Sequence, residues 1–194
     1  MGVAVEGLVA LSTTKASTAA FQSLMLAEQR RIFLLCQRLL QDREEADAAT
    51  QDVFLKAWLA LEKDARIITD AGKWLVRIAV NTCLDRLRSR RWQIWRRRPA
   101  PDDEETILLM APVRGPTAED KVFALEIGRR LRDAMKKLSG RQLAVFTLRH
   151  YEERTLEDIA GLLEMEVGTV KAHLARALLK MREELRDLYH ERQC

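Results

Sequence analysis

Prolines and glycines are scarce in this sequence, and the prolines occupy one short segment. The 194 residues include four prolines and eight glycines, and all four prolines lie between positions 99 and 116, together with Gly115. Helix-breaking residues are therefore sparse elsewhere. Asn-Gly hairpin signals and alternating apolar residues are also missing, which argues against β-structure. We predict an all-α fold of two small helical domains joined by a flexible linker at residues 99–118.

Cysteines are few, and their spacing matches neither a metal site nor a disulfide framework. Cys36, Cys83 and Cys194 lie far apart without a CxxC pair, and the first two have apolar neighbours. This pattern predicts buried free thiols in a reducing compartment. His190 and Cys194 are four residues apart and provide only half of a tetrahedral site, so we expect no metal and no other cofactor.

Long apolar runs and the common catalytic motifs are also absent. No apolar run approaches the ~20 residues that span a bilayer. The N-terminal GVAVEGLVAL is interrupted by Glu6 and lacks the basic start of a signal peptide. We expect a cytoplasmic protein without membrane insertion, and a mobile tail at residues 1–20. The sequence contains no GxxxxGKS/T, HExxH, GxSxG or GxGxxG motif, so we expect no enzymatic activity and no small-molecule substrate.

Charged residues are abundant but unevenly placed along the chain. The formal net charge is only +4, yet residues 77–98 include eight arginines and a single acid, Asp85. The following segment, residues 99–120, contains six acidic residues and one arginine. A basic block beside an acidic linker indicates contact with a polyanion, next to a segment that avoids or imitates that polyanion.

Apolar residues recur with helical spacing on both sides of the linker. Before the linker we predict helices at 21–40, at 44–61 and from about 71 into the arginine block, with Asp70 capping the third. After the linker we predict helices at 119–138, 141–151, 156–163 and 168–189. The predicted domains therefore comprise residues 21–98 and 119–194.

The third predicted helix, which contains WLVRIAVNTCLDRLR, separates into an apolar and a polar face. The apolar face contains Val76, Val80, Cys83, Leu84 and Leu87. The opposite stripe carries an aromatic ring, guanidinium groups and an amide, in Trp74, Arg77, Asn81, Asp85 and Arg88. Such groups suit phosphates, stacked bases and base edges. A core position for Trp74, ion pairs along the helix, an anionic membrane or a partner groove would also explain the stripe.

The C-terminal stretch TLEDIAGLLEMEVGTVKAHLARALLKM has the pattern of a helix-turn-helix. Thr155 and Asp158 form a start that resembles a capping box, and residues 164–167 form the turn. The second helix is predicted to bury Val170, Leu174, Ala177, Leu178 and Met181. It would present Thr169, Lys171, Ala172, His173 and Arg176 outward, where a recognition helix meets the major groove. A plain helical hairpin is the alternative.

These motifs, taken in order, resemble the extracytoplasmic-function sigma factors, small two-domain members of the bacterial sigma-70 family. The resemblance rests on EADAATQDVFLKAW, WLVRIAVNTCLDRLR and the helix-turn-helix, and it covers residues 21 to 188. It implies that residues 21–98 are sigma region 2 and residues 119–194 are sigma region 4. It also implies an alternative sigma factor that binds core RNA polymerase and directs promoter-specific transcription initiation.

The same resemblance implies roles for individual residues. Asp47, Gln51, Asp52 and Phe54 would belong to the helix that grips the polymerase beta-prime clamp, and region 4 would rest on the beta flap. Trp74, Arg77, Asn81 and Arg88 would touch the promoter −10 region, and the loop at 64–71 would receive a flipped base. Arg149, Thr169, Lys171, His173 and Arg176 would contact the −35 duplex. Family members are commonly held inactive by an anti-sigma factor, so such a partner is expected.

The sequence departs from the family pattern at a few positions. Ala48 stands where an acid is frequent, which would weaken one polymerase contact. Glu164 occupies a turn position where glycine is common, so its backbone conformation is open. Ala172 and Ala175 replace bulkier or polar residues, and a different −35 preference is therefore expected.

Two other classes of function remain open from the residues alone. A stand-alone helix-turn-helix regulator would bind duplex DNA without polymerase, usually as a dimer on paired half-sites. A helical adaptor with no nucleic-acid role would leave both polar stripes unexplained.

Overall fold

The computed structural model describes the backbone of residues 3–63, 70–89 and 118–186, and the side chains of residues 18–63, 70–89 and 124–186. These segments form helices and contain no strand, which confirms the predicted all-α fold. The helices are α1 (Val3–Leu40), α2 (Arg43–Lys63), α3 (Ala71–Arg88), α4 (Ala118–Lys136), α5 (Gly140–His150), α6 (Leu156–Leu163) and α7 (Val167–Glu184). None of the described helices is long and apolar enough to cross a membrane.

Helix α1 begins earlier than the sequence predicted. Its first residue is Val3, whereas the prediction placed the start at Phe21, after a tail at residues 1–20. The segment 3–20 has no proline and contains five alanines, and extending an existing helix through such residues costs little. The tail is therefore helical from Val3 onward, and the mobility expected of it stays a prediction.

Helices α1, α2 and α3 pack against one another as a three-helix bundle. Their apolar stripes meet in a core whose fully buried residues include Ile32, Leu35, Val53, Leu75 and Val80. The Phe21 ring packs near them, with its centroid 5.1 Å from that of Trp58 and 6.5 Å from that of Phe54. Each buried large aliphatic side chain contributes about 1.5–3 kcal/mol. Burial of one face of α3 therefore determines which of its faces remains exposed.

Helices α5, α6 and α7 form the core of the second unit, and α4 packs against α7. A capping box starts α5, because the Ser139 hydroxyl accepts from the Gln142 N–H while the Gln142 side chain accepts from the Ser139 N–H. The fully buried residues of this unit include Met135, Leu143, Leu148, Ile159 and Val170. This packing holds the short α6 and the longer α7 in the order of a helix-turn-helix.

The two units touch each other. Helix α3 lies against α5 and α6, helix α1 lies against α5, and buried apolar residues of both units form one continuous cluster. Ion pairs cross this boundary between Arg31 and Glu152, Lys73 and Asp158, and Arg77 and Glu164. The predicted linker lies outside the described residues except for Ala118, and the relative placement of the units could not be predicted from the sequence.

Candidate nucleic-acid interface

The orientation of α3 is set by a cap at its start and by burial along one side. The Asp70 carboxylate accepts a hydrogen bond from the Lys73 N–H at 2.7 Å, so Asp70 caps the helix as predicted. Leu75, Val76, Ala79, Val80 and Cys83 are each fully buried. Arg77, Asn81 and Arg88 consequently lie on the opposite side and are exposed.

Trp74 differs from the other members of the polar stripe. Its side chain is partly buried and packs against the hydrophobic core. The position next to Leu75 lies at the edge of the buried arc of the helix, where a large ring gains more by packing than by exposure. Both interpretations of Trp74 therefore apply in part: the side chain packs against the core and is not fully covered. Its contact with the −10 region stays a prediction.

Arg86 joins α3 to α2 through two carboxylates. Its Nη1 lies 2.5 Å from Glu45 Oε2 and its Nη2 lies 2.6 Å from Asp52 Oδ2. Burial by itself would lower the pKa of Arg86, but the hydrogen bonds that its guanidinium donates to Asp52 and Glu45 raise the pKa above the ordinary value. The sequence analysis did not single out Arg86, because one arginine beside an apolar face has no distinctive periodicity.

The predicted polymerase-binding residues of α2 differ in exposure. Asp47 and Gln51 are exposed, Asp52 is partly buried and paired with Arg86, and Phe54 is only 8% exposed. Phe54 is therefore a core residue, and any effect it has on a partner acts through the position of α2. The same face of α2 exposes Leu55 and Leu59, with exposed fractions of 56% and 53%.

Leu55 and Leu59 were missed by the sequence analysis, although their spacing carries a signal. Asp47, Gln51, Leu55 and Leu59 follow one another at intervals of four residues, which places them along one side of a helix. Apolar side chains at solvent-facing positions of an otherwise polar stripe indicate a docking surface. We name Asp47, Gln51, Leu55 and Leu59 the α2 stripe.

The turn of the helix-turn-helix contains a left-handed residue. Thr155 caps α6, its hydroxyl accepting a hydrogen bond from the Asp158 N–H at 3.1 Å. Glu164 ends α6 with φ 52° and ψ 52°, and the next residue, Met165, donates its N–H to the Ala160 carbonyl at 3.0 Å. This is the conformation for which glycine is usual at a helix end. The question that the sequence left open at Glu164 is thereby answered.

Helix α7 buries one face and exposes the other at its start. Val170 and Ala177 are fully buried and Met181 is 5% exposed, as predicted for the inner face. Leu178 was predicted to be buried but is 41% exposed, because it lies one residue beyond Ala177 at the edge of the inner stripe. The predicted contact residues Thr169, Lys171 and Arg176 are exposed, while Ala172 and His173 are partly buried.

His173 faces the first unit instead of open solvent. It lines a cavity of about 310 Å³ together with Leu84, Leu87 and Arg88 of α3 and residues 138–141 at the start of α5. Burial lowers the pKa of His173, and the positive charges of Arg176 and Arg141 lower it further. Its Nδ1 is buried and has no hydrogen-bond partner among the described residues. His173, predicted to contact the −35 duplex, and Arg88, predicted to contact the −10 region, therefore line the same cavity.

Arg149 is exposed at the end of α5 and is already engaged locally. Its Nη1 donates a hydrogen bond to the Arg154 carbonyl oxygen at 2.9 Å, across the turn between α5 and α6. This contact holds the guanidinium beside the helix-turn-helix and away from the cavity that His173 lines. The position is compatible with the predicted phosphate contact, which stays a prediction.

Two further predictions concern residues that the structure describes only in part or not at all. Of the loop at 64–71, only Asp70 and Ala71 are described, and the pair of His190 and Cys194 lies outside the described residues. Cys36 and Cys83 are both free and fully buried, as predicted. Within the described ranges, no three histidine, cysteine or acidic side chains group as a metal site would need.

Comparison with known proteins places both units in one family. The family model for Sigma-70 region 2 matches residues 24–93, and the one for Sigma-70, region 4 matches residues 128–181. The chain is 29% identical to the ECF RNA polymerase sigma factor SigW of Bacillus subtilis over 170 residues, which cover 87% of this chain and 90% of the relative. It is 31% identical to the RNA polymerase sigma-E factor of Streptomyces coelicolor over 173 residues, covering 87% and 88% of the two chains.

A solved structure shows the same fold. The sigma factor RpoE of Bartonella quintana, crystallised with the anti-sigma factor NepR, superimposes with a TM-score of 0.62 at 19% identity, covering 86% of this chain and 97% of that one. The exposed face of α3 and the helix-turn-helix both lie inside the segments that the family models match. The chain therefore belongs to the sigma-70 family, as an RNA polymerase sigma factor of the extracytoplasmic-function type.

Proposed function

We propose that this sigma factor recognises its promoter through two separate surfaces, one on each unit. Residues 21–98 would act as region 2 on the −10 element, residues 119–194 as region 4 on the −35 element, and residues 99–118 as the linker. The observation that carries this division is the exposed polar face of α3, followed along the chain by a helix-turn-helix whose second helix exposes Thr169, Lys171 and Arg176. We assign no function to residues 1–20.

The α3 face suits contact with DNA at the point of strand opening. The guanidinium groups of Arg77 and Arg88 fit phosphates, while the Asn81 amide donates and accepts hydrogen bonds as a base edge requires. Trp74, being partly buried, would contribute only an accessible edge. Capture of an unstacked base by the loop at 64–71 would offset the few kcal/mol that unstacking costs.

The second surface would read the −35 duplex through the start of α7. Thr169, Lys171 and Arg176 are exposed there, and Arg149 stands at the end of the neighbouring α5. Phosphate contacts would position the helix while a few side chains read bases in the major groove. His173 would join them only after leaving the cavity that it lines with α3.

Core RNA polymerase would bind the α2 stripe. This surface combines the polar Asp47 and Gln51 with the exposed Leu55 and Leu59. Apolar side chains surrounded by polar groups are typical of the centre of a protein interface. Asp52 and Phe54 would support this surface from within, through the contact with Arg86 and through the core.

Regulation by a protein partner fits the same surfaces. The related RpoE structure contains an anti-sigma factor, and a partner that covers the α2 stripe or the start of α7 would prevent binding of polymerase or promoter. We further propose that the chain acts in the cytoplasm and has no catalytic activity of its own, the chemistry of RNA synthesis belonging to the polymerase.

Reconstituted transcription tests the proposal. Core RNA polymerase is supplied with a genomic promoter library, with and without this chain, and the transcripts are sequenced. We expect chain-dependent initiation that Asn81→Ala or Arg176→Ala reduces at least tenfold. Arg182→Ala provides the matched control, because it removes an exposed arginine near the other end of α7. Failure to bind polymerase, together with tight salt-sensitive binding of duplex DNA by the chain alone, would instead indicate a stand-alone regulator.

A further inference from the structure

The cavity that His173 lines is bordered by α3, by α7 and by the start of α5. Its volume of about 310 Å³ lies at the lower end of the range of small-ligand sites and is too small to admit a nucleic-acid duplex. We name it the α3–α7 cavity. Its lining comprises Leu84, Leu87, Arg88, Leu138, Ser139, Gly140, Arg141 and His173. None of these described lining residues is acidic.

Two arginines line the α3–α7 cavity from different helices. Arg88 belongs to α3, and Arg141 is exposed in the first turn of α5. Arg88 pairs with Asp85 of its own helix through Nη1, at a long 3.5 Å, and its side chain is 58% exposed. Because a guanidinium carries five N–H donors, Arg88 retains donors for a second acceptor. Two guanidinium groups therefore adjoin one cavity whose described lining contains no carboxylate.

His173 adds a third nitrogen donor from α7. Its Nδ1 is buried and has no hydrogen-bond partner among the described residues. The charged groups that act on the ring are Arg176 of its own helix and Arg141 of α5, both positive. A buried ring nitrogen without a partner and positive charges without a counter-charge both cost free energy. An anion in the cavity would accept the hydrogen bond and offset the repulsion.

The rest of the cavity wall is apolar. Leu84 and Leu138 are 7% and 2% exposed, and Leu87 packs against the same core. Gly140 adds no side chain to this wall, and a Cβ placed there would lie 3.4 Å from Leu84 Cδ2 and 3.6 Å from Leu87 Cδ1. Charged donors beside an apolar wall are typical of a site for a small ligand that has an anionic group and an apolar body.

The donors suit a phosphate better than a carboxylate. A guanidinium presents pairs of N–H donors that match two oxygens of a phosphate, and two such groups and an imidazole approach from three helices. A phosphomonoester offers three terminal oxygens and close to two negative charges at neutral pH, whereas a carboxylate offers two oxygens and one charge. The ligand class with the best match is therefore a small phosphomonoester.

We propose that the α3–α7 cavity binds a small phosphomonoester, whose phosphate is held by Arg88, Arg141 and His173 and whose organic part packs on the leucines of the apolar wall. The site itself does not depend on the proposed function. Its consequence for transcription does, because Arg88 and His173 are also proposed DNA contacts. A bound ester would compete with promoter DNA for these two side chains.

Binding of phenyl phosphate to the full chain tests the site. The side-chain signals of His173 are followed by NMR at neutral pH and low salt, with benzoate as a second probe that has the same ring and a single charge. We expect phenyl phosphate to shift the His173 signals saturably, with a dissociation constant of about 1 mM or lower, and to leave those of His150 in place. Benzoate should bind severalfold more weakly, and equal affinity would overturn the assignment to phosphates.

A pair of arginine variants separates the site from general attraction of anions. Arg141→Gln removes a guanidinium from the cavity, and Arg182→Gln removes the same charge from an exposed arginine near the end of α7. We expect Arg141→Gln to raise the dissociation constant of phenyl phosphate at least tenfold and Arg182→Gln to change it less than about twofold. Circular dichroism checks that both variants fold. Equal effects of the two variants, or shifts that do not saturate, would overturn the site.

Transcription tests the consequence separately. Phenyl phosphate is added to the reconstituted reaction, and inhibition is measured relative to each protein's own activity without the ester. We expect inhibition of the unsubstituted chain, with at least tenfold more ester needed for Arg141→Gln. Equal inhibition of both proteins would overturn competition at this site. If the unsubstituted chain supports no transcription without the ester, the proposed function fails, while the NMR titration still accepts or rejects the site.

Discussion

Arg86 binds Asp52 with 2.6 Å between Nη2 and Oδ2, and thereby joins helix α3 to helix α2. The residues are 34 positions apart in sequence. The same guanidinium also binds Glu45, so α3 is held near both the first turn and the middle of α2. Forces applied to α2 by a partner would consequently reach α3 without an intervening flexible element.

Removal of Arg86 should destabilise the first unit. We expect Arg86→Ala to lower the free energy of unfolding by about 1–3 kcal/mol, because two partly buried carboxylates lose a charged hydrogen-bond partner. Urea denaturation followed by circular dichroism measures this change. Arg88→Ala is the control, since that side chain is 58% exposed and its ion pair with Asp85, at 3.5 Å, is long. Its effect should stay within about 0.5 kcal/mol, and an equal loss in the two variants would contradict the structural role of Arg86.

The left-handed backbone at Glu164 predicts an unusual order of stability. Glu164→Gly and Glu164→Ala both remove the ion pair with Arg77, so a comparison between them isolates the backbone. We expect the glycine variant to be more stable by about 1 kcal/mol, because only glycine adopts positive φ without steric cost. Thermal denaturation of the two variants side by side measures the difference. An alanine variant of equal or greater stability would show that residue 164 is not left-handed in solution.

The cavity beside α3 predicts a displaced titration for His173. Burial, followed by the charges of Arg176 and Arg141, places the pKa of His173 below its ordinary value of 6.5. A depressed pKa means that the folded structure favours the neutral imidazole. That contribution is complete above pH 6.5 and is lost as the pH falls through the folded-state pKa.

Titration of the histidine side chains by NMR measures this effect. Arg141→Ala should raise the pKa of His173 and leave that of His150 unchanged. Arg149→Ala should raise the pKa of His150 and leave that of His173 unchanged, because burial and the charge of Arg149 lower the pKa of His150. If Arg141→Ala left the pKa of His173 where it was, the two side chains would not share one cavity in solution.

The α2 stripe predicts a polymerase contact that can be separated from folding. Leu55→Asp should weaken binding of core RNA polymerase about tenfold or more, because a charge replaces an apolar side chain at the centre of the interface. Its urea midpoint should stay near that of the unsubstituted chain, since Leu55 is 56% exposed. Leu26→Asp is the control on α1, where the side chain is 68% exposed. An equal loss of affinity in both variants would remove the α2 stripe as the specific site.

Local patterns in the sequence were sufficient for the helices and for one face of each. The period of apolar residues in α3 predicted the buried Val76, Val80 and Cys83, and the short Thr155 to Asp158 pattern predicted the cap of α6. Such features depend on residues within one or two turns of each other, so they are visible in a linear sequence. Positions at the edge of a stripe were less certain: Leu178 was predicted to be buried but is 41% exposed, and Trp74 is partly buried.

Contacts between residues that lie far apart in the sequence could not be predicted from local patterns. Nothing local distinguishes Arg86, which binds two acids of α2, from Arg88, which is more exposed and pairs with Asp85 of its own helix. The pairing of Arg77 with Glu164 spans 87 positions. An arginine on a polar stripe has the same sequence pattern whether its guanidinium is available to bind a phosphate or is paired with a carboxylate of the other domain.

The amino-acid order alone specified the class of fold, the two DNA-suited helices and the family, because periodicity, caps and motif order are local properties of the chain. The packing of the folded chain decided which polar side chains are exposed to solvent and which contact the other helical unit. Whether Arg77 and His173 face solvent or the other helical unit depends on how the two units meet, with Gly140 at the start of α5 lying close to Leu84 and Leu87 of α3. That meeting is determined by the shape and charge of two surfaces, each assembled from residues that lie far apart in the sequence.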